Sequence, residues 1–180
     1  MTVGEIMHVS FTRGDGRRHH ITAALDQKVL GYFAMADYGP ALPHDIAHLA
    51  VETLFDLPYG FWGLVAAGAR FETVNQASAG TPRVRRTDPL VETHLAELTV
   101  AEGLVNLFSH QQVAHDEDDD AYVAAAGALC AQHGQPVPVA VSAEVVARAR
   151  RTLASLNAQW QATPPGETLH LDFPLDADTP

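Results

Sequence analysis

The stretch LPHDIAHLAVE, residues 42–52, holds the side chains of this sequence that are best suited to metal chemistry. His44, His48 and Glu52 recur at every fourth position, and Asp45 directly follows the first histidine. Side chains four apart on an α-helix lie one above another, so two imidazoles at this spacing can bind one ion. Divalent metals such as Zn²⁺ accept imidazole nitrogen and carboxylate oxygen as ligands. The spacing therefore predicts a zinc-like divalent-metal site on a helix.

Asp45 stands where a catalytic base would be needed. The order His-Asp-x-x-His is similar to the zincin motif H-E-x-x-H, in which two histidines bind zinc and the glutamate acts as general base. This similarity implies His44 and His48 as ligands and Asp45 as the base of a hydrolytic reaction. Aspartate is one methylene shorter and reaches less far toward a metal-bound water. A carboxylate in the first turn of a helix is also stabilising by itself, because the free N–H groups there favour an anion.

A third ligand must come from Glu52 or from another part of the chain. Glu52 lies two turns from His44, about 12 Å along the helix axis, so the outer side chains would have to bend inward. His94, with Glu97 one turn later, adjoins an apolar stripe and could face the first helix. The predicted metal ligands are His44, His48, His94 and Glu52. Two further histidines are more distant alternatives, His110 and His115.

The pattern of apolar residues indicates the elements that must position this stretch. Alternation on both sides of a Gly-Asp-Gly turn predicts a β-hairpin or meander within residues 1–37. A helix carrying the histidines is predicted over residues 43–57, with proline in its first turn. Residues 75–87 are polar and irregular, which predicts an exposed loop, and helical patterns dominate residues 88–162. Alternation returns over residues 167–174 and predicts a C-terminal strand.

These elements predict a single α+β domain over residues 1–180. Its small, mostly antiparallel sheet would combine the N-terminal hairpin with the C-terminal strand and pack with about four helices. The chain has 180 residues, of which 47% are apolar, and this is enough to form a substantial core.

The charge distribution argues against two classes of partner. The formal net charge is -11, from 22 acidic and 11 basic residues. Such a chain is repelled by a phosphate backbone and by an anionic membrane surface, so neither a nucleic acid nor a membrane is expected as partner. Residues 1–86 are balanced in charge, whereas residues 87–180 carry the whole acidic excess. Attraction between the two halves, within one chain or between two, leaves a homo-oligomer open.

The single cysteine and the lack of targeting signals favour a cytoplasmic protein. Cys130 cannot form an internal disulfide, and its apolar neighbours predict a buried thiol. The sequence shows neither a leader-like start nor an apolar run of about 18 residues.

The N-terminal 70 residues resemble an uncharacterised family of small bacterial proteins. The resemblance rests on a β-hairpin followed by LPHDIAHLAVE and by the glycine-rich segments GFWG and AAGA. It implies no known activity.

A metal-free function also stays open. The stripe of His44, His48 and Glu52 could be an ordinary solvated helix face. The apolar segment around Phe61 and Trp62 would then mediate self-association or bind a protein partner.

Overall fold

A computed structural model describes most of the chain: residues 5–14, 18–26, 28–36, 41–71, 88–114 and 118–175, with the backbone alone for 32–36 and 109–114. The strands are β1 (Ile6–Thr12), β2 (Arg18–Leu25), β3 (Lys28–Ala36) and β4 (Thr168–Pro174). The helices are α1 (His44–Phe55), α2 (Phe61–Ala66), α3 (Pro89–Thr93), α4 (Leu95–Ala114), α5 (Asp119–Gln132) and α6 (Ala143–Ala162). The predicted α+β class is confirmed, and the described part of the chain has six helices rather than about four. The predicted loop over residues 75–87 lies outside the described residues.

The sheet joins the two ends of the chain, as predicted. Its strand order is β3-β2-β1-β4 and every pairing is antiparallel. The C-terminal strand pairs with β1 and sets Phe173 opposite Met7. Alternate residues give the sheet an apolar inner face and a polar outer face, where His8 Nδ1 lies 2.7 Å from Asp172 Oδ1. The buried inner-face residues include one polar side chain, His19 of β2, and the apolar residues Met7, Val9, Phe11, Ile21, Ala23 and Phe173.

Helix α1 occupies a central place among the helices, because it contacts α2, α4, α6 and strand β4. Its residues Ile46, Val51 and Phe55 are fully buried and belong to the main core. The two tryptophans, Trp62 and Trp160, are also fully buried there. A helix surrounded in this way has little surface left for solvated polar groups. Its polar side chains therefore lie partly inside the fold.

The helix starts follow ordinary capping chemistry. Asp88 accepts a hydrogen bond from the Leu90 N–H ahead of α3, and Asp118 accepts from two N–H groups at the start of α5. Asp118 is thus the N-cap of α5. Cys130 is buried within α5, and burial raises the pKa of its thiol. Among the described residues, no helix combines the length and apolar character that crossing a membrane requires.

Candidate metal centre

The polar stripe of α1 is enclosed by the fold. His48 is 3% exposed and Glu52 is 1% exposed, although both carry polar side chains. Val51 and Phe55, which flank the stripe on the helix surface, are fully buried. The stripe is therefore not a solvated helix face along its whole length, and its inner end needs polar partners.

The partner of both histidines is Glu102, a residue of α4. His44 Nε2 lies 2.9 Å from Glu102 Oε1, and His48 Nε2 lies 2.8 Å from Glu102 Oε2. One carboxylate thus joins two imidazoles that stand one turn apart on α1. The ligand atoms of these three residues all lie within 4.8 Å of one another, and no other group of this kind is found in the described part of the chain.

The group is buried at one end and open at the other. His48 is enclosed, whereas the side chains of His44 and Glu102 are 41% and 50% exposed. Asn106, one turn after Glu102 on α4, donates from Nδ2 to Glu102 Oε1 over 3.0 Å. This contact gives the Glu102 carboxylate a further hydrogen-bond donor from its own helix.

Glu52 contacts His48 from the opposite side of the imidazole ring. His48 Nδ1 lies 2.9 Å from Glu52 Oε1, and the backbone N–H groups of Phe61 and Trp62 donate to the two Glu52 oxygens over 2.8 Å each. The Glu52 side chain is fully buried. Gly60 passes so close that a Cβ there would collide with the Glu52 carboxylate. Glu52 was predicted as a ligand, but its oxygens are directed to these three N–H groups instead.

These contacts move the pKa values of His48 and Glu102. Burial by itself would lower the pKa of His48, but hydrogen bonds to Glu102 and Glu52, together with their charges, raise it to about 9. Hydrogen bonds from His44 and His48 hold the pKa of Glu102 well below its usual range. In the metal-free protein, His48 is therefore a buried imidazolium between two carboxylates.

Asp45 lies at the edge of the group. Its backbone carbonyl accepts a hydrogen bond from Trp62 Nε1 over 2.9 Å, which ties the first turn of α1 to α2. Its side chain is half-buried, and among the described residues no group hydrogen-bonds to its carboxylate. Burial raises the pKa of Asp45 against the charges of His48 and His44.

His94 is not brought into the group. It ends α3, and its ring stacks on Tyr59 with centroids 3.8 Å apart and planes 5° from parallel. Its Nδ1 lies 3.4 Å from Glu97 Oε1. The sequence predicted helical structure over residues 88–162, and within it the chain breaks at His94, between α3 and α4. The alternatives His110 and His115 lie outside the described side chains.

The donor set has the chemistry of a metal site with an open side. Two imidazole nitrogens and one carboxylate are ligands that zinc and similar ions accept, and three protein ligands leave a position for water or substrate. The signal for Glu102 in the sequence is weak, because it is one of 22 acidic residues and stands 54 positions after His48.

The metal-free hypothesis relied on Phe61 and Trp62 as a surface for association. Trp62 is fully buried and Phe61 is partly buried against the core, so the Trp62 ring is not available at the surface for self-association. Association through other residues stays a prediction.

Comparisons of this chain with protein-family models, with curated proteins and with solved structures find no significant match. The resemblance of the N-terminal 70 residues to a bacterial family accordingly stays a prediction.

Proposed function

We propose that this chain binds one divalent metal ion, zinc or a similar ion, through His44 Nε2, His48 Nε2 and the Glu102 carboxylate. The observation that carries the proposal is that both Nε2 atoms turn to the oxygens of one carboxylate, at 2.9 and 2.8 Å. A metal ion would replace the protons of the two hydrogen bonds between these nitrogen and oxygen atoms. It would then have three protein ligands.

The distances require only a small adjustment. Ligands about 2.1 Å from a tetrahedral zinc ion lie about 3.4 Å from one another. The two nitrogen–oxygen contacts of 2.8 and 2.9 Å would therefore open by about half an ångström on metal binding. Rotation of the half-exposed His44 and Glu102 side chains supplies such a movement without displacing the buried His48.

Glu52 supports the proposal as an orienting group. A metal-bound histidine commonly donates its other N–H to a carboxylate, which fixes the tautomer and the ring plane. Glu52 accepts from His48 Nδ1 in this way, and its own position is fixed by the Phe61 and Trp62 N–H groups. The Nε2 atom of His48 is thus the one presented to the ion.

We extend the proposal to a hydrolytic reaction. Three protein ligands leave a coordination position on the exposed side of the group, where a water could bind and lose a proton more readily than in bulk solvent. Asp45 is the residue that would accept this proton, because its carboxylate lies beside the group and has no hydrogen-bond partner among the described residues. The reaction class is therefore metal-dependent hydrolysis.

Metal titration tests the binding site directly. We expect untagged protein to take up one equivalent of Co²⁺ with the visible absorption of a tetrahedral nitrogen–oxygen site, and Zn²⁺ to displace it. The double variant His44→Ala/His48→Ala should bind at least a hundredfold more weakly. The control is His8→Ala/His170→Ala, which removes two exposed histidines from the outer face of the sheet. If the wild-type protein binds no metal, and if added zinc leaves its melting temperature unchanged, the group is only a hydrogen-bonded network.

The hydrolytic extension has its own test. We expect zinc-loaded protein to hydrolyse 4-nitrophenyl acetate faster than chelator-treated protein, and Asp45→Asn to reduce this zinc-dependent rate at least tenfold while still binding one equivalent of metal. A full zinc-dependent rate in Asp45→Asn would remove Asp45 from the reaction. Equal rates with and without zinc would leave a structural metal.

A further inference from the structure

A second site is formed by an open-sided cavity of about 190 Å³ between residues 56–60, the first half of α4 and residues 135–138. A cavity of about 150 Å³ is large enough to hold benzene, so this one accommodates a single small ring or a branched alkyl group. Its walls are mostly apolar, as expected of a ligand site. The apolar lining residues are Leu57, Pro58, Val100, Pro136 and Pro138.

The polar groups of the cavity are acidic. Asp56, Glu97 and Gln135 are among the lining residues, and none of the described lining residues is basic. Asp56 is exposed and Glu97 is partly exposed, so a ligand that enters the cavity from solvent can reach both side chains. An apolar cavity with carboxylates at its edge is complementary to a cation that carries an apolar body.

Two of the lining groups are fixed in place by His94. The ring of Tyr59 stacks on His94 at 3.8 Å, and Glu97 Oε1 lies 3.4 Å from His94 Nδ1. Preorganised groups lose less entropy when a ligand binds, and an aromatic ring beside a carboxylate suits an ammonium group. The His94–Glu97 pair, which the sequence indicated as metal-binding, thus lies beside this cavity instead.

We propose that this cavity binds a small primary ammonium ion that carries one ring or one branched alkyl group. The ammonium would contact Asp56 and Glu97, and the apolar body would fill the space beside Val100 and the prolines. This proposal does not depend on the metal centre, because none of the proposed metal ligands lines the cavity.

The test is a titration of ¹⁵N-labelled protein with benzylammonium chloride at pH 7, with benzyl alcohol as the neutral ligand of the same shape. We expect amide shifts centred on residues 56–60, 97–100 and 135–138, and at least tenfold weaker binding of the alcohol. Equal affinities of the two ligands, or shifts without a centre at this cavity, would overturn the proposal, and this comparison needs no variant.

Variants locate the charge that is recognised. Asp56→Asn/Glu97→Gln should reduce ammonium binding to the level of the alcohol, and asparagine tolerates the φ of 54° found at position 56. The control Glu92→Gln/Glu167→Gln removes the same charge from exposed positions outside the cavity and should bind like wild type. Equal loss in both double variants would mean that only net charge matters and would overturn the proposal.

The metal-ligand variant separates this site from the proposed function. His44→Ala/His48→Ala should bind benzylammonium with the wild-type affinity, whether or not wild type binds zinc. Loss of ammonium binding in that variant would place the ligand at the metal centre and would contradict the cavity site.

Discussion

Glu52→Ala is expected to lower the free energy of unfolding of the metal-free protein by on the order of 3–5 kcal/mol. The Glu52 carboxylate is fully buried and accepts from His48 Nδ1, from the Phe61 N–H and from the Trp62 N–H. Alanine would remove the Glu52 oxygens that accept from these three donors, and His48 would lose one of its two carboxylate partners. Urea unfolding followed by tryptophan fluorescence measures the loss.

Two variants make this result specific. Glu52→Gln keeps the shape of the side chain and one acceptor oxygen, so it should lose less than alanine does. Glu92→Ala removes an exposed acid and should stay within about 0.5 kcal/mol of wild type. A Glu52→Ala midpoint equal to that of Glu92→Ala would contradict the structural role assigned to these hydrogen bonds.

Glu52 should also affect metal affinity, but less than a ligand does. Loss of a group that orients a metal-bound histidine typically costs tenfold to a hundredfold in affinity. Glu52→Gln is therefore expected to bind one equivalent of metal more weakly, whereas removal of His48 abolishes the site. This difference distinguishes an orienting carboxylate from a ligand.

The pair His44 and His48 could be predicted from the sequence because the relevant spacing is local. Any residues four apart on a helix share a face, and the helix itself was indicated by its apolar pattern and early proline. Its predicted range of 43–57 agrees with α1, which spans His44–Phe55, apart from the ends. The sheet was predictable for a similar reason, since alternation in β1, β2 and β4 separates an apolar face from a polar one.

Glu102 could not be predicted, because its role depends on how two distant helices cross. On its own helix it is an exposed acid next to the buried Ala101, and nothing local distinguishes it from the other carboxylates of the acidic half. His94 was preferred because it adjoins an apolar stripe and has Glu97 one turn later. The His94 ring instead stacks on Tyr59 at the break between α3 and α4, and a local pattern of apolar residues does not reveal such a break.

The sequence placed Glu52 on the same helix face as His48, but it did not predict the backbone groups that donate to Glu52. Phe61 and Trp62, which donate to Glu52, belong to α2, a helix of only six residues. The first N–H groups of that short helix donate to the Glu52 carboxylate. The Glu52 oxygens are therefore occupied as hydrogen-bond acceptors away from the proposed metal position.

The second large effect is expected from pH, and it has opposite signs for the metal-free and the metal-bound protein. His48 has a pKa of about 9 in the fold, against about 6.5 in an unfolded chain. A raised histidine pKa stabilises the fold fully below pH 6.5, and the stabilisation is lost as pH rises through 9. The metal-free protein should therefore lose on the order of 3 kcal/mol of stability across this window.

Metal binding should strengthen over the same window. The ion needs the lone pair of His48 Nε2, so binding displaces the proton that this ring carries below pH 9. Apparent zinc affinity, measured against a chelator of known strength, should rise about tenfold per pH unit between 6.5 and 9, whereas a histidine of ordinary pKa would stop contributing near 6.5.

In urea unfolding of the metal-free protein, the variant His48→Gln should lack the fall in stability, while His8→Gln on the outer sheet face should keep it. A stability of the metal-free wild type that is flat between pH 6.5 and 9 would mean that His48 is not charged there, and the two carboxylates would then not hold a proton that a metal ion must displace.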